Sequence, residues 1–543
     1  MYIGHKLINT SAICLALLSS IAQATCGQPS SHSIEALKSH GRAPPAEGTP
    51  VTIEASVSGV FLGDQALNGF YLQDTTDAIF VYAPSLEAVR TPKAGERWRI
   101  KGQMGRYRGR AQLERITAVK YCGEAVVHLH TLDELNPAAY ASLDEQPVKF
   151  TQTLYIADLY NLGRYGSMRL SVGGRAFQPN NGVAAGRRLE LHLDDGSYRR
   201  EPRPLPYVRE DYSPRVGDAI EPLTGILTRA FGDWRIHPLE PVRFVSRNPR
   251  PQAPSRPADQ TIRAVNFNLF NYFIDPGGRG AGSDAAFASQ RERLRSVLLA
   301  LDADVLGLHE IQNNPDAVAD LLHLLNRDVE AAERYQAILM ERSSAAIRSI
   351  LLYRPARLSL EQVTRSQNAA HPRDPVAGVF ETPDQQRFAV AIAHFKSRGG
   401  CPTAGDIDTG EGCWAQRRER EARQMLQWLR TELAEPVNRL PTLVLADFNA
   451  YASERAMAAW QSAGFVDLFA RHIAPLDRYT YIYRGQSGYL DHALATPSLA
   501  RHIHEVHSWP INADEPAYLA TEGSSVWRAS DHDPIIVDWQ FNH

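Results

Sequence analysis

Eight polar residues in the second half of the chain each stand at the end of an apolar run: Asn268, Glu310, His394, Asp447, Asn449, Asp491, Asp531 and His532. They fall in six short segments, 265–273, 304–313, 393–397, 443–451, 489–494 and 530–534. The end of an apolar run is where a buried strand leaves the core, so a polar group there can be held rigidly toward a cleft. Carboxylate and amide oxygens are hard donors suited to Mg²⁺ or Ca²⁺. Imidazoles move protons or neutralise charge. Phosphodiester hydrolysis needs this combination, because the substrate anion repels the nucleophile and the alkoxide leaves poorly.

Each residue also has a plainer reading. Glu310 could be a surface carboxylate ending a strand, although the apolar run 305–308 directly before it favours a buried delivery. Asp447 and Asn449 are two apart, so on an extended chain they share a side; alone, they would equally suit an Asx turn. By the same alternation His492 points away from Asp491 and reads as structural. Lys396 and Arg398 follow His394 directly and are candidates for binding flanking phosphates.

With these six segments in the same order, the chain from about Thr261 onward resembles the endonuclease/exonuclease/phosphatase superfamily, and within it the secreted bacterial extracellular nucleases. The resemblance implies an α+β fold, a deoxyribonuclease-like two-sheet α/β sandwich preceded by two OB-like β-barrel domains. It implies Mg²⁺, with Mn²⁺ or Ca²⁺ as alternatives, held by Glu310 with Asn268 beside it and Asp531 as a third acid. Asp447 would orient or deprotonate the water and Asn449 would hold a phosphate oxygen. Asp491 would fix the tautomer of His532, and His394 would act on the leaving group or the phosphate. Which histidine is acid and which is base stays open. Three positions depart from the family pattern: Ala393 stands where Asn is common, Ala446 where Gly is usual, and Ala345 where secreted relatives are often acidic. They bear on substrate preference and leave the metal and proton-transfer groups intact.

The expected substrate is DNA cut with little sequence specificity, with RNA open, by a monomer that needs no protein partner. Two alternatives remain. The same metal site could serve a phospholipid or inositol phosphate, in which case 479–483 would be a candidate lipid-facing hairpin. Or the β domains could bind nucleic acid beside a vestigial nuclease, a reading that the complete set of site residues opposes.

The elements that must position these groups can be outlined from pattern. A chain of 543 residues exceeds one core and predicts about two to four domains. Its net charge of −3 excludes a globally basic nucleic-acid packaging protein, so any such binding must use a local groove. Strand-like alternation marks 25–125 and again 126–247, with a weak repeat between 95–113 (Gly102, Gly109) and 217–239 (Gly225, Gly232). These are read as two OB-like barrels in tandem. In the first, 106–110 has the charge and aromatic content for single-strand contact, or is a solvated hairpin tip. The Pro-rich segment 248–260 is expected to be an extended linker that joins neither core. From 261 onward helix and strand patterns alternate, with a helical stripe at 291–301 and another through Ala422, Met425, Leu426, Leu429 and Leu433.

Residues 1–24 read as a secretory signal ending in a small-x-small site at 22–24. Its apolar stretch is shorter than the roughly 20 residues of a membrane span, so no membrane anchor is expected, and the protein is expected to be secreted, extracellular or periplasmic. Cleavage leaves Cys26, Cys122, Cys401 and Cys413. An even number in an exported chain points to disulfides. The secreted nucleases carry a Cys-bounded loop like 401–413, which would leave Cys26 to pair with Cys122; four reduced cysteines are the alternative.

Overall fold

A computed structural model of the protein describes residues 25–38, 43–63, 65–86, 90–133, 137–184, 186–338, 345–433, 440–521 and 525–541. The expected signal segment 1–24 lies outside them. The chain forms two compact units, the first ending at His128 and the second starting at Leu129.

The first unit is a closed five-stranded barrel of β1 (Pro50–Phe61), β2 (Gly69–Gln73), β3 (Ala78–Tyr82), β4 (Glu96–Tyr107) and β5 (Arg110–Glu124), in the order β1-β2-β3-β5-β4. Alternate residues of β1 (Val51, Ile53, Ala55 and Val57) point inward onto Ile79, Trp98 and Ile100. A disulfide joins Cys26 to Cys122, as expected. Segment 106–110 is the tip of the β4–β5 hairpin, with Tyr107 exposed.

The second unit begins with nine strands: β6 (His130–Leu132), β7 (Pro147–Phe150), β8 (Leu154–Asp158), β9 (Ser167–Val172), β10 (Arg187–Asp194), β11 (Ala219–Ile220), β12 (Leu223–Ala230), β13 (Asp233–Pro238) and β14 (Phe244–Val245). A second closed barrel was the expectation. Instead they form a nine-stranded sheet in the order β14-β11-β8-β9-β10-β13-β12-β7-β6, whose short edge strands do not pair with each other. Its apolar core is completed from outside by Tyr518, from the C-terminal part of the chain. The weak repeat corresponds to two similar hairpins, β4–β5 and β12–β13, whose turns use Gly109 and Gly232 at φ +83° and +89°. Such left-handed backbone favours glycine.

Segment 248–260 is not the free linker expected. Arg250 is paired with Glu515 at 2.6 Å and Arg256 with Asp304 at 2.7 Å. The Pro254 and Ser255 carbonyls accept hydrogen bonds from buried Arg263. Its two arginines find acids far away in sequence, which a local composition rule cannot register.

The chain from Ile262 onward stacks two six-stranded sheets. One contains β15 (Ile262–Tyr272), β16 (Val305–Gln312), β17 (Gln336–Ala337), β18 (Ile347–Tyr353), and, from the end of the chain, β27 (Ile503–Ser508) and β28 (Ile535–Trp539), in the order β17-β18-β16-β15-β28-β27. The other has β19 (Ser359–Arg365), β20 (Val376–Glu381), β21 (Arg387–His394), β22 (Thr442–Asp447), β23 (Val466–Asp467) and β26 (Asp491–Ala495), in the order β19-β20-β21-β22-β26-β23. A hairpin of β24 (Tyr481–Tyr483) and β25 (Gln486–Gly488) lies apart from both. Alternation divides the strand residues between an inner core and two outer ones. Ala264, Val305, Ile392 and Leu445 meet between the sheets. Val265, Leu306 and Leu308 pack under helices Asp284–Leu301 and Pro315–Asn326. Ala391, Val444 and Ala446 pack under Ala415–Glu432 and Arg455–Ser462. The sheets approach so closely that a Cβ on Gly307 would lie 2.8 Å from Ile392 Cγ2.

Candidate active site

Three neighbouring strands end together. His394 (β21), Asp447 (β22) and Asp491 (β26) are register partners across the second sheet. All three are buried. This row forms one wall of the site: His394 and Asp447 end their strands as the sequence pattern implied, whereas Asp491 opens β26, which runs antiparallel to β22 and so begins at the same edge.

The opposing sheet supplies Asn268 and Glu310. Asn268 Nδ2 donates to Asp447 Oδ2 at 3.1 Å, which ties the two sheets across the cleft. Strand β16 does not simply end before Glu310. It bulges between Leu308 and Ile311, with Glu310 at φ +62°. Phe270, Asn271 and Asn449 are also left-handed, at +55°, +58° and +50°. Such backbone costs a side-chain-bearing residue of order 1–3 kcal/mol and gathers where function demands an orientation. Here it brings the Glu310 carboxylate within reach of the Asn271 amide, which donates to it at 3.1 Å.

His532 is held by Asp491 through a 2.7 Å Nδ1···Oδ2 hydrogen bond, and Thr480 Oγ1 donates to the same oxygen at 2.7 Å. Tyr481 stacks on the imidazole with ring centroids 4.6 Å apart. Ser530 Oγ donates to the Asn268 carbonyl at 2.7 Å and accepts from the His532 amide, fixing the loop to β15. The Asp491 Oδ1 and His394 Nδ1 atoms are buried without a hydrogen-bond partner.

Electrostatics separate the two histidines. Burial lowers His532, but Asp491 and then Asp531 outweigh it and hold the ring well above an ordinary imidazole. Burial, then Arg373, holds His394 well below. His394 Nε2 lies 3.4 Å from Asp447 Oδ2 and 3.9 Å from Glu310 Oε1. With the ring neutral at pH 7, neither approach is an ion pair. Burial, then Asp491, pushes Asp447 up to about 7. Burial, then Asp531, raises Glu310.

These groups fit a divalent cation. Asp447, Asp491 and His532 each bring a ligand atom within 4.8 Å of the others. The 2.7 Å bond between His532 and Asp491, however, occupies Nδ1 with a proton rather than a metal. Hard oxygens from Glu310, Asn268 and Asp531 make the better cradle, since a cation would relieve the repulsion by which Asp531 raises Glu310.

Residues 265–532 match the model of the Endonuclease/Exonuclease/phosphatase family. They form a domain of that family. The family's members are metal-dependent hydrolases of phosphoester bonds, which agrees with the donors gathered here. No curated protein matches the chain. Among solved structures, the human Nocturnin catalytic domain with bound sulfate is similar at 18% identity and TM-score 0.37, covering 52% of this chain and 95% of that one. TDP2 of D. rerio complexed with single-strand DNA product is similar at 14% identity and TM-score 0.35, covering 52% and 100%. The mannosyl-6-phosphatase of Bacteroides thetaiotaomicron stands at 17% and 0.34, covering 52% and 100%.

Two of the sequence candidates sit differently in the family domain. Arg398 was expected to bind phosphate, but its Nη1 donates to both carboxylate oxygens of Glu454, at 2.7 and 2.8 Å, and its guanidinium lies 4.7 Å from the Tyr451 ring. Lys396 turns to the carbonyls of Ser397 and Gly399, over the Trp414 ring. Both shape the loop closed by the Cys401–Cys413 disulfide, which is formed as expected. Asn449 Nδ2 donates to the Phe395 carbonyl at 3.3 Å. His492 is structural, bonded to the Ala450 carbonyl.

Several contributors carried no sequence signal. Arg373 donates to the carbonyls of His394 and Phe395, holding the strand end. His309, buried between Asn266 and Ser349, stands 5.9 Å from the His394 ring. Thr480 and Tyr481 lie in the segment considered as a lipid-facing hairpin. Instead Tyr479 and Tyr481 point inward, to Asp514 and His532 respectively, and only Tyr483 is exposed. The tyrosine at every second position was a strand signature available in the sequence.

Proposed function

We propose that this protein is a secreted, divalent-metal-dependent nuclease that hydrolyses phosphodiester bonds of DNA with little sequence specificity, with RNA as a second substrate. The observation that carries the reading is the row of His394, Asp447 and Asp491 with Asn268 bonded to Asp447 from the opposing sheet and His532 held on Asp491 at 2.7 Å. Against its burial, Asp491 and Asp531 hold His532 well above an ordinary imidazole, whereas burial holds His394 well below.

Glu310, Asn268 and Asp531 would hold Mg²⁺, with Mn²⁺ as a substitute. The cation, when bound, neutralises the phosphate and polarises it toward attack. With Nδ1 committed to Asp491, the His532 imidazolium presents Nε2–H to a phosphate oxygen and counters the charge that develops there. Asp447, with its carboxyl near 7, is matched to accept a proton from the attacking water at neutral pH. Asn268 orients Asp447 through its amide. Neutral His394, close to both Asp447 and Glu310, is placed to act as a proton carrier on the leaving side.

The inward packing of the 479–483 hairpin favours nucleic acid over a lipid surface. The deciding experiment incubates covalently closed plasmid, RNA and sphingomyelin with the protein and Mg²⁺. Nicked or linear plasmid supports the reading. Hydrolysis of the lipid alone transfers the site to a phospholipase.

A further inference from the structure

Beside the catalytic cleft, a cavity of about 520 Å³ opens between the nine-stranded sheet and the family domain. The sheet contributes Tyr160, Arg169 and His192; the family domain contributes Tyr483, Arg484 and Asp531. Two further lining residues connect it to the chemistry. Tyr481 is stacked on His532, and Phe270 follows the Asn268 side chain that accepts its amide at 2.9 Å. The volume lies in the range of small-ligand pockets, about 300–1,000 Å³.

Its lining has an uncommon chemistry for a surface. Tyr160, Tyr483 and Phe270 are 57%, 51% and 47% exposed, and Phe270 is kept there by left-handed backbone at φ +55°. Isolated exposed aromatics are ordinary; three around one polar cavity ask for a planar partner. Arg484 and Arg528 add positive charge. The acids are largely engaged: Asp158 accepts from the amides of Tyr160 and Gly485, and Glu515 is paired with Arg215 and Arg250. Asp531 belongs to the metal set. His192 is 1% exposed and both its ring nitrogens lack a hydrogen-bond partner, although Nε2 passes 3.3 Å from Asp233. A buried unpartnered donor or acceptor costs stability unless a ligand satisfies it.

The geometry points to a subsite for one unpaired nucleotide of a single-stranded nucleic acid, lying next to the scissile phosphate, with its base against the Tyr160 and Tyr483 rings. It rests on the nuclease reading above and adds the strand state. A base inside a duplex is stacked and paired, so it cannot enter; an unpaired one offers a π-face to tyrosine and its edge to His192 and the arginines. The nine-stranded sheet is thereby part of substrate binding.

The test compares a single-stranded oligonucleotide, the same strand with abasic sites replacing the bases, and the duplex. Wild type should cleave the base-bearing strand with KM about tenfold or more below that of the abasic strand, the scale of base stacking on an aromatic. Tyr160→Ala and Tyr483→Ala should erase that preference while cleavage of the abasic strand continues at the wild-type rate. Tyr160→Phe, which keeps the ring, should restore it. Equal KM for base-bearing and abasic strands in wild type, or a preference that survives both alanine variants, overturns the subsite although the nuclease reading stands. Failure to cleave any of the three strands would instead remove the nuclease reading itself.

Discussion

Arg175, in the loop after β9, and Asp514, in the family domain, form a 2.8 Å ion pair across 339 residues of sequence. The same guanidinium lies 3.9 Å from the Tyr479 ring and donates to its hydroxyl at 3.1 Å. Tyr479 directly precedes Thr480, which bonds Asp491, which in turn orients His532. Around it, Phe177 bridges to Ser487, and Asn181 accepts from the Tyr489 amide. The nine-stranded sheet therefore braces the acid–imidazole pair.

Arg175→Ala should destabilise the protein by about 3 kcal/mol, the scale for breaking a buried ion pair. Tyr479 and Asn248 still donate to Asp514, which keeps the loss from growing larger. Turnover should fall as well, in protein that remains folded. Urea unfolding and single-turnover cleavage read the two effects. An unchanged midpoint with unchanged turnover would mean that the sheet does not brace the site.

Asp491→Asn removes the charge that keeps His532 protonated. Turnover should drop about 10²–10⁴-fold, the usual weight of a proton-transfer group, with KM nearly unchanged. The alkaline limb of the pH–rate profile should move to lower pH, since the imidazolium then loses its proton earlier. A profile that keeps its shape in the variant would detach Asp491 from His532 function.

Metal affinity should depend on pH through Asp447. Its carboxyl, near 7, must be deprotonated beside a cation, so Mg²⁺ binding should weaken by up to about tenfold per pH unit below 7 if one proton is displaced. The sign for folding is opposite. A carboxyl with a raised folded value makes the metal-free protein lose stability as pH climbs from the ordinary carboxylate range toward 7. Calorimetric titration with Mg²⁺ at pH 5.5 and 7.5 and metal-free melting at the same pH values check both. Affinity that is flat across this interval would contradict the assignment.

The close approach of the two sheets gives a packing prediction. Gly307→Ala introduces a Cβ 2.8 Å from Ile392 Cγ2 and should cost about 1–3 kcal/mol as overpacking. Denaturant unfolding measures it. Gly307→Ala combined with Ile392→Leu, which carries no methyl on Cβ, should recover part of the loss, because the clash is with Cγ2.

What was legible in the sequence were groups whose setting is local. His394 and Asp447 end apolar runs, and those runs are strands that end side by side, with Asp491 opening the antiparallel strand next to them. The two cysteine pairs close as the family resemblance implied. What was not legible depends on partners distant in sequence or on backbone detail. Nothing near Arg250 or Arg256 announces Glu515 or Asp304, so 248–260 read as a free linker. The left-handed bulge at Glu310 has no glycine to mark it. Arg398 has the charge for phosphate, but Glu454, 56 residues on, takes it. The β-rich pattern of 126–247 could not distinguish a closed barrel from a sheet that completes its core with Tyr518.

In the proposed function, Glu310 and its neighbours hold a cation that phosphodiester cleavage requires. The direct measurement is plasmid cleavage by wild type and Glu310→Gln, each with Mg²⁺ and with excess chelator. The expected result is cleavage by wild type with Mg²⁺ only, abolished by chelator and regained on adding Mg²⁺ or Mn²⁺, and orders of magnitude slower in folded Glu310→Gln. Wild-type cleavage at full rate in chelator, or an unimpaired Glu310→Gln, would contradict it.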